Sequence, residues 1–239
     1  MFAFESALAT GVEHLETDIH VSADGVVYCI HDHTVDRTTD GTGPLASLAS
    51  DVVDRLDAGY HHRDDGGFPY RGQGLGVPTF AELAISFPHA RLVVDLKEDS
   101  VVGPFADLVG QLGVGQRLIV GSFSDLRIER FRQLTGGRIA TSTGSATSRQ
   151  WLVNSRVGRA GALWPSALQL PLQRRGLRVV DRRLVIAAHN AGIQIHVWTI
   201  NDAAEMRRLL DLGVDGIMTD EVQLLGEVMA ERGLFADPT

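Results

Sequence analysis

The 239-residue sequence contains a single cysteine, Cys29, which excludes an intramolecular disulfide framework. Its setting in the apolar run VVYCI marks a buried, unreactive thiol and fits a reducing compartment. Positive charge is also scarce. There are 22 Lys and Arg against 30 Asp and Glu, a formal charge of -8, with the acidic residues scattered along the chain rather than gathered in a tail. That balance argues against nucleic acid as a partner. No apolar stretch approaches the ~20 residues that a membrane helix needs, so no membrane span is expected. The amino terminus lacks a basic segment followed by an apolar one; no signal peptide is visible, and the expected location is cytoplasmic.

What is present is enough for one large core. With 44% apolar residues, the chain is expected to form a single domain over residues 1–239. Short β-branched runs alternate with helical patterns roughly every 25–35 residues, the signature of βαβ units and a parallel sheet. Strands are expected at Leu15–Val21, Arg91–Lys97, Leu118–Ser122, Arg138–Thr141, Ala162–Pro165, Ile193–Thr199 and Asp215–Thr219. Helical segments include Val101–Leu112, Ser124–Leu134, Asp181–Ala191 and Asp202–Leu212, the last capped by Asn201 or Asp202 and closed by Gly213. Val26–Ile30, after the turn SADG, reads as a hairpin arm on the first strand. From about 34 to 78 the periodicity breaks into an insertion, expected as a functional loop or lid over one end of the sheet.

Seven parallel strands suit either an open doubly wound sheet or an eight-stranded barrel short of one strand. The amphipathic segment FAFESALATGV precedes the first visible strand, where helix one of a barrel belongs. The expectation is therefore an α/β fold, a TIM (β/α)8 barrel with its first strand missing from this chain.

In LETDIHV, Glu16 and Asp18 are two apart and project from one face of a strand, with His20 following on that face. Carboxylates crowded in this way repel, and a divalent cation between them keeps both ionised; hard oxygen donors suit Mg2+ or Ca2+. A solvated acidic edge strand is the plain alternative. Asp95 lies near the end of the apolar strand RLVVDLK with Lys97 two residues on, a pair that is either a salt bridge or part of a site at a strand's C-terminal end. His31, at the end of the hairpin arm, brings a group that titrates near neutrality close to these carboxylates, or else forms a hydrogen-bonded turn with Asp32. Arg37-Thr38-Thr39 either holds an anion or caps a turn. His14, His33, His61, His62, His89, His189 and His196 read as surface or packing residues.

The run LETDIHVSADGVVYCIHDHTVDRTTDGTG resembles the glycerophosphodiester phosphodiesterase family, with its E-x-D strand, Asp-Gly turn and His-Asp followed by R-T-T. The resemblance continues through VPTFAELA, VVDLK, VGSF, HVWTIND and GVDGIMTDEV, in order and over nearly the whole chain. It implies a TIM barrel that hydrolyses a small-molecule glycerophosphodiester to sn-glycerol 3-phosphate and an alcohol, using one divalent cation, Mg2+ or Ca2+. On that resemblance the metal ligands are Glu16, Asp18 and Asp95, the last in a position where the family usually has Glu. Lys97 neutralises the phosphate, Trp198 lines the mouth of the pocket, and His31 protonates the leaving oxygen.

A second family histidine lies in a His-Arg-Gly motif, followed by Pro-Glu-Asn, and neither motif is found in these residues. MFAFESAL aligns just after that point, so the expectation is a start assigned at an internal methionine and a chain with little turnover of its own. A catalytically inactive barrel binding metal or phosphate, and a lysophospholipase D-type phosphodiesterase, are the alternative functions.

Overall fold

The computed structural model describes residues 1–157, 165–174 and 176–234. It opens with α1 (Phe2–Leu8), strand β1 (His14–Val21) and the short β2 (Val27–Cys29), which folds back antiparallel on β1 with Ile19 opposite Cys29. The helix α2 (Ser50–Val53) lies in the insertion; α3 (Phe80–Ser86) starts from a capping box between Thr79 and Glu82. There follow β3 (Arg91–Leu96), α4 (Val102–Leu112), β4 (Leu118–Gly121), α5 (Asp125–Leu134), β5 (Ala140–Thr141) and α6 (Ser145–Arg156). Beyond these are β6 (Ala167–Pro171), a hairpin of β7 (Gln173–Arg174) and β8 (Leu177–Arg178), α7 (Arg182–Asn190), β9 (Gln194–Trp198), α8 (Ala203–Leu212), β10 (Gly216–Ile217) and α9 (Val222–Ala230).

The parallel strands run in chain order, β1-β3-β4-β5 in one sheet and β6-β9-β10 in another. One bond, Ser166 N–H to the Thr141 carbonyl at 2.8 Å, links the strand ends where the sheets meet. Seven of the eight positions of a (β/α)8 barrel are thereby filled, and the order matches the sequence expectation. Among the described residues no strand pairs β10 with β1. The ring nonetheless curls round on itself, since Asp220, just past β10, is close enough to raise the proton affinity of Glu16 on β1.

Alternation on β1 explains why the barrel forms. Leu15, Thr17, Ile19 and Val21 are buried on the side facing the helices, where Leu15, Ile19 and Val21 pack with Phe80, Val94, Phe105 and Phe131. Each such aliphatic side chain contributes roughly 1.5–3 kcal/mol when fully buried. Glu16 and Asp18 point the other way, into the ring. A second core, built around Trp151, Leu168, Ile195, Met206 and Leu209, supports the C-terminal strands. Ser124, Asp181 and Asp202 each accept a backbone N–H at the start of α5, α7 and α8, and Gly213 ends α8 at φ 90. Asp202 rather than Asn201 is the cap.

The strand expected at Ala162–Pro165 lies, except for Pro165, outside the described residues; the barrel strand of that region is β6, starting at Ala167. Residues 34–78 pack a small core of Val35, Leu45, Val53 and Val77 against Tyr28 and Ile30. None of them lines the cavity described below. Cys29 is buried, and burial pushes its thiol up to about 12, in keeping with an unreactive cysteine. No helix among the described residues is long and apolar enough to cross a membrane.

Candidate active site

A cavity of about 880 Å³ opens at the C-terminal ends of the parallel strands, within the ~300–1,000 Å³ usual for ligand sites. Glu16, Asp18, His31, Asp95, Lys97 and Trp198 all line it. All six residues selected from the sequence therefore meet in one place.

Register brings the carboxylates together. In the parallel pairing of β1 with β3, Asp18 lies directly beside Asp95. Lys97, just past the end of β3, places its Nζ 2.7 Å from Asp18 Oδ1 and 2.8 Å from Asp95 Oδ2. The three side chains keep only 13–19% of their surface. Burial works against the Lys97 charge, but its two carboxylate partners outweigh that cost and hold its pKa above the ordinary value. The salt-bridge reading of Asp95 and Lys97 thus holds, with Asp18 as an additional partner.

Among the described residues Glu16 has no ion-pair or hydrogen-bond partner. Its residue surface is open to the cavity, while protein surrounds its carboxyl on the remaining sides. Desolvation first, and then the charges of Asp18 and Asp95, push the Glu16 carboxyl up to about 8. The donors are the hard oxygens that Mg2+ or Ca2+ prefers. As the side chains lie, no group of three His, Cys, Asp or Glu among the described residues is arranged to hold an ion. The Lys97 ammonium already bridges two of the three carboxylates.

The hairpin arm delivers His31 to the cavity edge. Ile30 N–H donates to the Asp18 carbonyl at 3.0 Å, fixing the arm to β1 one residue before the imidazole. His31 Nδ1 lies 2.7 Å from Asp32 Oδ1, and Arg37 grips the same carboxylate at 2.5 and 3.1 Å. Arg37 first, and His31 second, hold the Asp32 carboxyl down at about 2. With Nδ1 engaged, Nε2 is the nitrogen left to meet a ligand. Arg37 therefore orients the imidazole through Asp32, and Thr39 closes a turn through the Val35 carbonyl. Behind them the buried His20 sits 3.4 Å from both the His31 carbonyl and Glu98 Oε1, and Glu98 also accepts the Val21 N–H at 3.0 Å.

Trp198 ends β9 opposite Pro171 of β6. Its indole meets Phe123 edge-on at 5.7 Å, and the Lys97 ammonium lies 5.5 Å from the same phenyl ring. Phe123 lies within the run VGSF, where the sequence points to no role for it. Nothing in the run KEDS marks Glu98 for the contact it makes with His20. Ser142, Gln169, Arg149, Arg174 and Asp220 also line the cavity, and only the fold brings them there.

The remaining histidines are packing or surface groups. His196 is buried inside the ring, where desolvation lowers its pKa to about 4, and His189 pairs with Asp215 at 2.9 Å outside it.

The model of the glycerophosphoryl diester phosphodiesterase family matches residues 1–224. A Mycobacterium tuberculosis protein named "Probable glycerophosphodiester phosphodiesterase 2" is 33% identical over 238 residues, covering 98% of this chain and 85% of its own. The crystal structure of a glycerophosphodiester phosphodiesterase from Agrobacterium tumefaciens superposes with a TM-score of 0.74 at 28% identity, over 95% of this chain and 90% of that one. A phosphodiesterase from Oleispira antarctica, solved in complex with the product sn-glycerol-3-phosphate, gives a TM-score of 0.72 at 21% identity, with 95% and 90% coverage. A barrel whose carboxylates, lysine, histidine and tryptophan share one mouth agrees with these likenesses, and the chain belongs to the glycerophosphoryl diester phosphodiesterase family, an enzyme family of phosphoric diester hydrolases.

Proposed function

We propose that the chain hydrolyses glycerophosphodiesters to sn-glycerol 3-phosphate and an alcohol, with one divalent cation, Mg2+ or Ca2+, held by Glu16, Asp18 and Asp95. The observation that carries this reading is the meeting of all six residues in one cavity, with Lys97 already seated between two carboxylates. The donor chemistry suits a cation. Burial first, and then the charges of Asp18 and Asp95, which Lys97 only partly offsets, hold the Glu16 proton, and a cation among the three carboxylates would relieve both. When bound, the cation supplies Lewis acidity toward the phosphoryl oxygens.

The chain's own groups do the rest. Negative charge builds on the equatorial oxygens as water attacks the diester, and the Lys97 ammonium stabilises that charge more than it stabilises the ground state. His31 Nε2, oriented through Asp32 and Arg37, gives a proton to the departing alkoxide as the P–O bond breaks, and the proton lost by the attacking water returns through solvent to the imidazole. Trp198 and Phe123 form an apolar shelf for the glycerol or an apolar leaving group. His31 is the only imidazole lining the cavity among the described residues, so one side chain carries the proton traffic and turnover is slow.

Incubating the purified chain with glycerophosphocholine and Mg2+ or Ca2+ tests this. Slow release of glycerol 3-phosphate above the enzyme-free rate, abolished by EDTA, is expected. Cation-dependent binding of the diester with no release at all would replace hydrolysis by the inactive binding barrel.

A further inference from the structure

The wall of the cavity away from the carboxylates carries two arginines for which the proposed reaction has no use. Counting round the ring from β1, the neighbours are β3, β4, β5 and β6. Arg149, in α6 after β5, stands three positions from Glu16 and Asp18; Arg174, in β7 directly after β6, stands four, the far side of an eight-position ring. Both are exposed and both line the cavity.

Their place on the cavity wall, taken with the lack of an ion pair, sets them apart: other described arginines without an ion pair, such as Arg91, Arg130 and Arg183, do not line the cavity. Arg127, Arg156, Arg207, Arg208 and Arg232 each have a carboxylate within ion-pair distance. Among the described residues Arg149 has only a bond from Nε to the Ser145 carbonyl, at 3.1 Å, and Arg174 has no ion pair. In a chain with a net charge of -8, two guanidinium groups left open on one cavity wall reverse the local sign. The hydroxyls of Thr143, Ser145 and Ser148 line the same side and add neutral hydrogen-bonding groups, but no negative charge. A guanidinium presents parallel donors that match a carboxylate or phosphate, and it is stronger in a part-enclosed cavity than on an open surface.

We propose that Arg149 and Arg174 form a subsite for an anionic group carried by the leaving alcohol, so that the cavity selects glycerophosphodiesters bearing a second phosphate or a carboxylate over those with a cationic alcohol. The assignment rests on the phosphodiesterase reading above, which places the scissile phosphate at Lys97 and so leaves these arginines to the far end of the substrate. A cavity of about 880 Å³ has room for such a group.

Titration calorimetry on the full chain reads the preference without requiring turnover. The probes are glycerophosphoinositol phosphate, which carries a second phosphate, glycerophosphoinositol, whose alcohol is uncharged, and glycerophosphocholine, whose alcohol is cationic. The first is expected to bind at least about tenfold tighter than the second, with the advantage shrinking as salt is raised. Arg149→Gln with Arg174→Gln erases that ratio, and the Lys replacements retain part of it. Arg130→Gln, on the outside of the barrel in α5, removes the same charge and leaves the ratio unchanged. Equal wild-type affinity for the two inositol diesters overturns the subsite. So does an equal loss on all three probes in the double variant, because the arginines would then be holding the scissile phosphate itself. A chain that shows the preference yet releases no glycerol 3-phosphate supports the subsite while refuting the reaction.

Discussion

The two walls of the cavity are made from the same kind of strand and differ in what their charges have for company. On the β1–β3 wall, Asp18, Asp95 and Lys97 satisfy one another at 2.7–2.8 Å and are largely withdrawn from water. On the β5–β6 wall, Arg149 and Arg174 stand exposed, with no carboxylate in reach among the described residues. The first arrangement holds its shape with the cavity empty of substrate; the second is completed only by something that enters. Charge sign alone does not separate a structural pair from a binding group; the lack of a partner, taken together with a place on the cavity wall, does.

The sharpest way to break the comparison is to strip the first wall of its internal partner. Lys97→Met leaves Asp18 and Asp95 side by side and part-buried without a counter-charge. Removing one member of a buried ion pair costs more than the pair contributes, and with this much residual exposure the expected loss is about 2–3 kcal/mol. Urea unfolding at neutral pH should show a lower midpoint at unchanged slope. Glycerol 3-phosphate release should fall at least about 100-fold, since the group that meets the developing phosphate charge is gone. Arg174→Met on the other wall should leave the unfolding midpoint within about 0.5 kcal/mol of wild type, because no folded-state partner is lost.

A smaller effect belongs to Glu16, the carboxyl that the first wall leaves unpaired. Its folded pKa of about 8 lies above its ordinary value of 4.5, so between those limits the folded chain binds more protons than the unfolded one. Stability from this group is therefore full below about pH 4.5 and declines as pH rises toward 8. Thermal melts of wild type should show that decline relative to Glu16→Gln, which carries no titrating proton there. Adding Mg2+ or Ca2+ should flatten the wild-type slope and raise its melting temperature, because a bound cation stabilises the carboxylate and binds only the folded chain. A melting temperature independent of both pH and cation would remove Glu16 from the ligand set.

How much of this was legible in the sequence varied with the kind of signal. Strand alternation in LETDIHV was sufficient to put Glu16 and Asp18 on the inner face, because residues two apart must share a face whatever the tertiary fold. Helix starts at Ser124, Asp181 and Asp202 were equally local, being set by one side chain and one backbone N–H. Strand β6 is not expected from the sequence because its run ALQLP carries Gln169 and Pro171, a polar residue and a ring that donates no hydrogen bond, and so resembles a loop. Only the barrel explains it: the Gln169 side chain fills interior space beside Gly121 and Ser142. Glu98, Arg149 and Arg174 were out of reach for another reason. Their partners, or lack of them, depend on which strand ends and loops the fold sets side by side.

Gly121 lies between the two walls and offers the mildest perturbation of their boundary. It ends β4, one strand beyond Asp95 and one strand before Ser142, and a Cβ there would come 2.5 Å from Gln169 Oε1 and 3.1 Å from Ser142 Oγ. The backbone has no need of glycine at this position, as its φ is not positive; the need is for space. Because the nearest atom is the far end of a flexible side chain, Gly121→Ala should be accommodated by a shift of the Gln169 amide rather than of a strand, at about 1 kcal/mol. That movement acts on the floor under the arginine wall and leaves the Asp18–Lys97–Asp95 cluster in place. Calorimetry on Gly121→Ala should therefore show a several-fold change in affinity for the diester with a second phosphate, while the pH dependence of stability assigned to Glu16 stays as in wild type. A change in both would mean that the two walls move as one body, and the contrast between a self-contained wall and an open one would be lost.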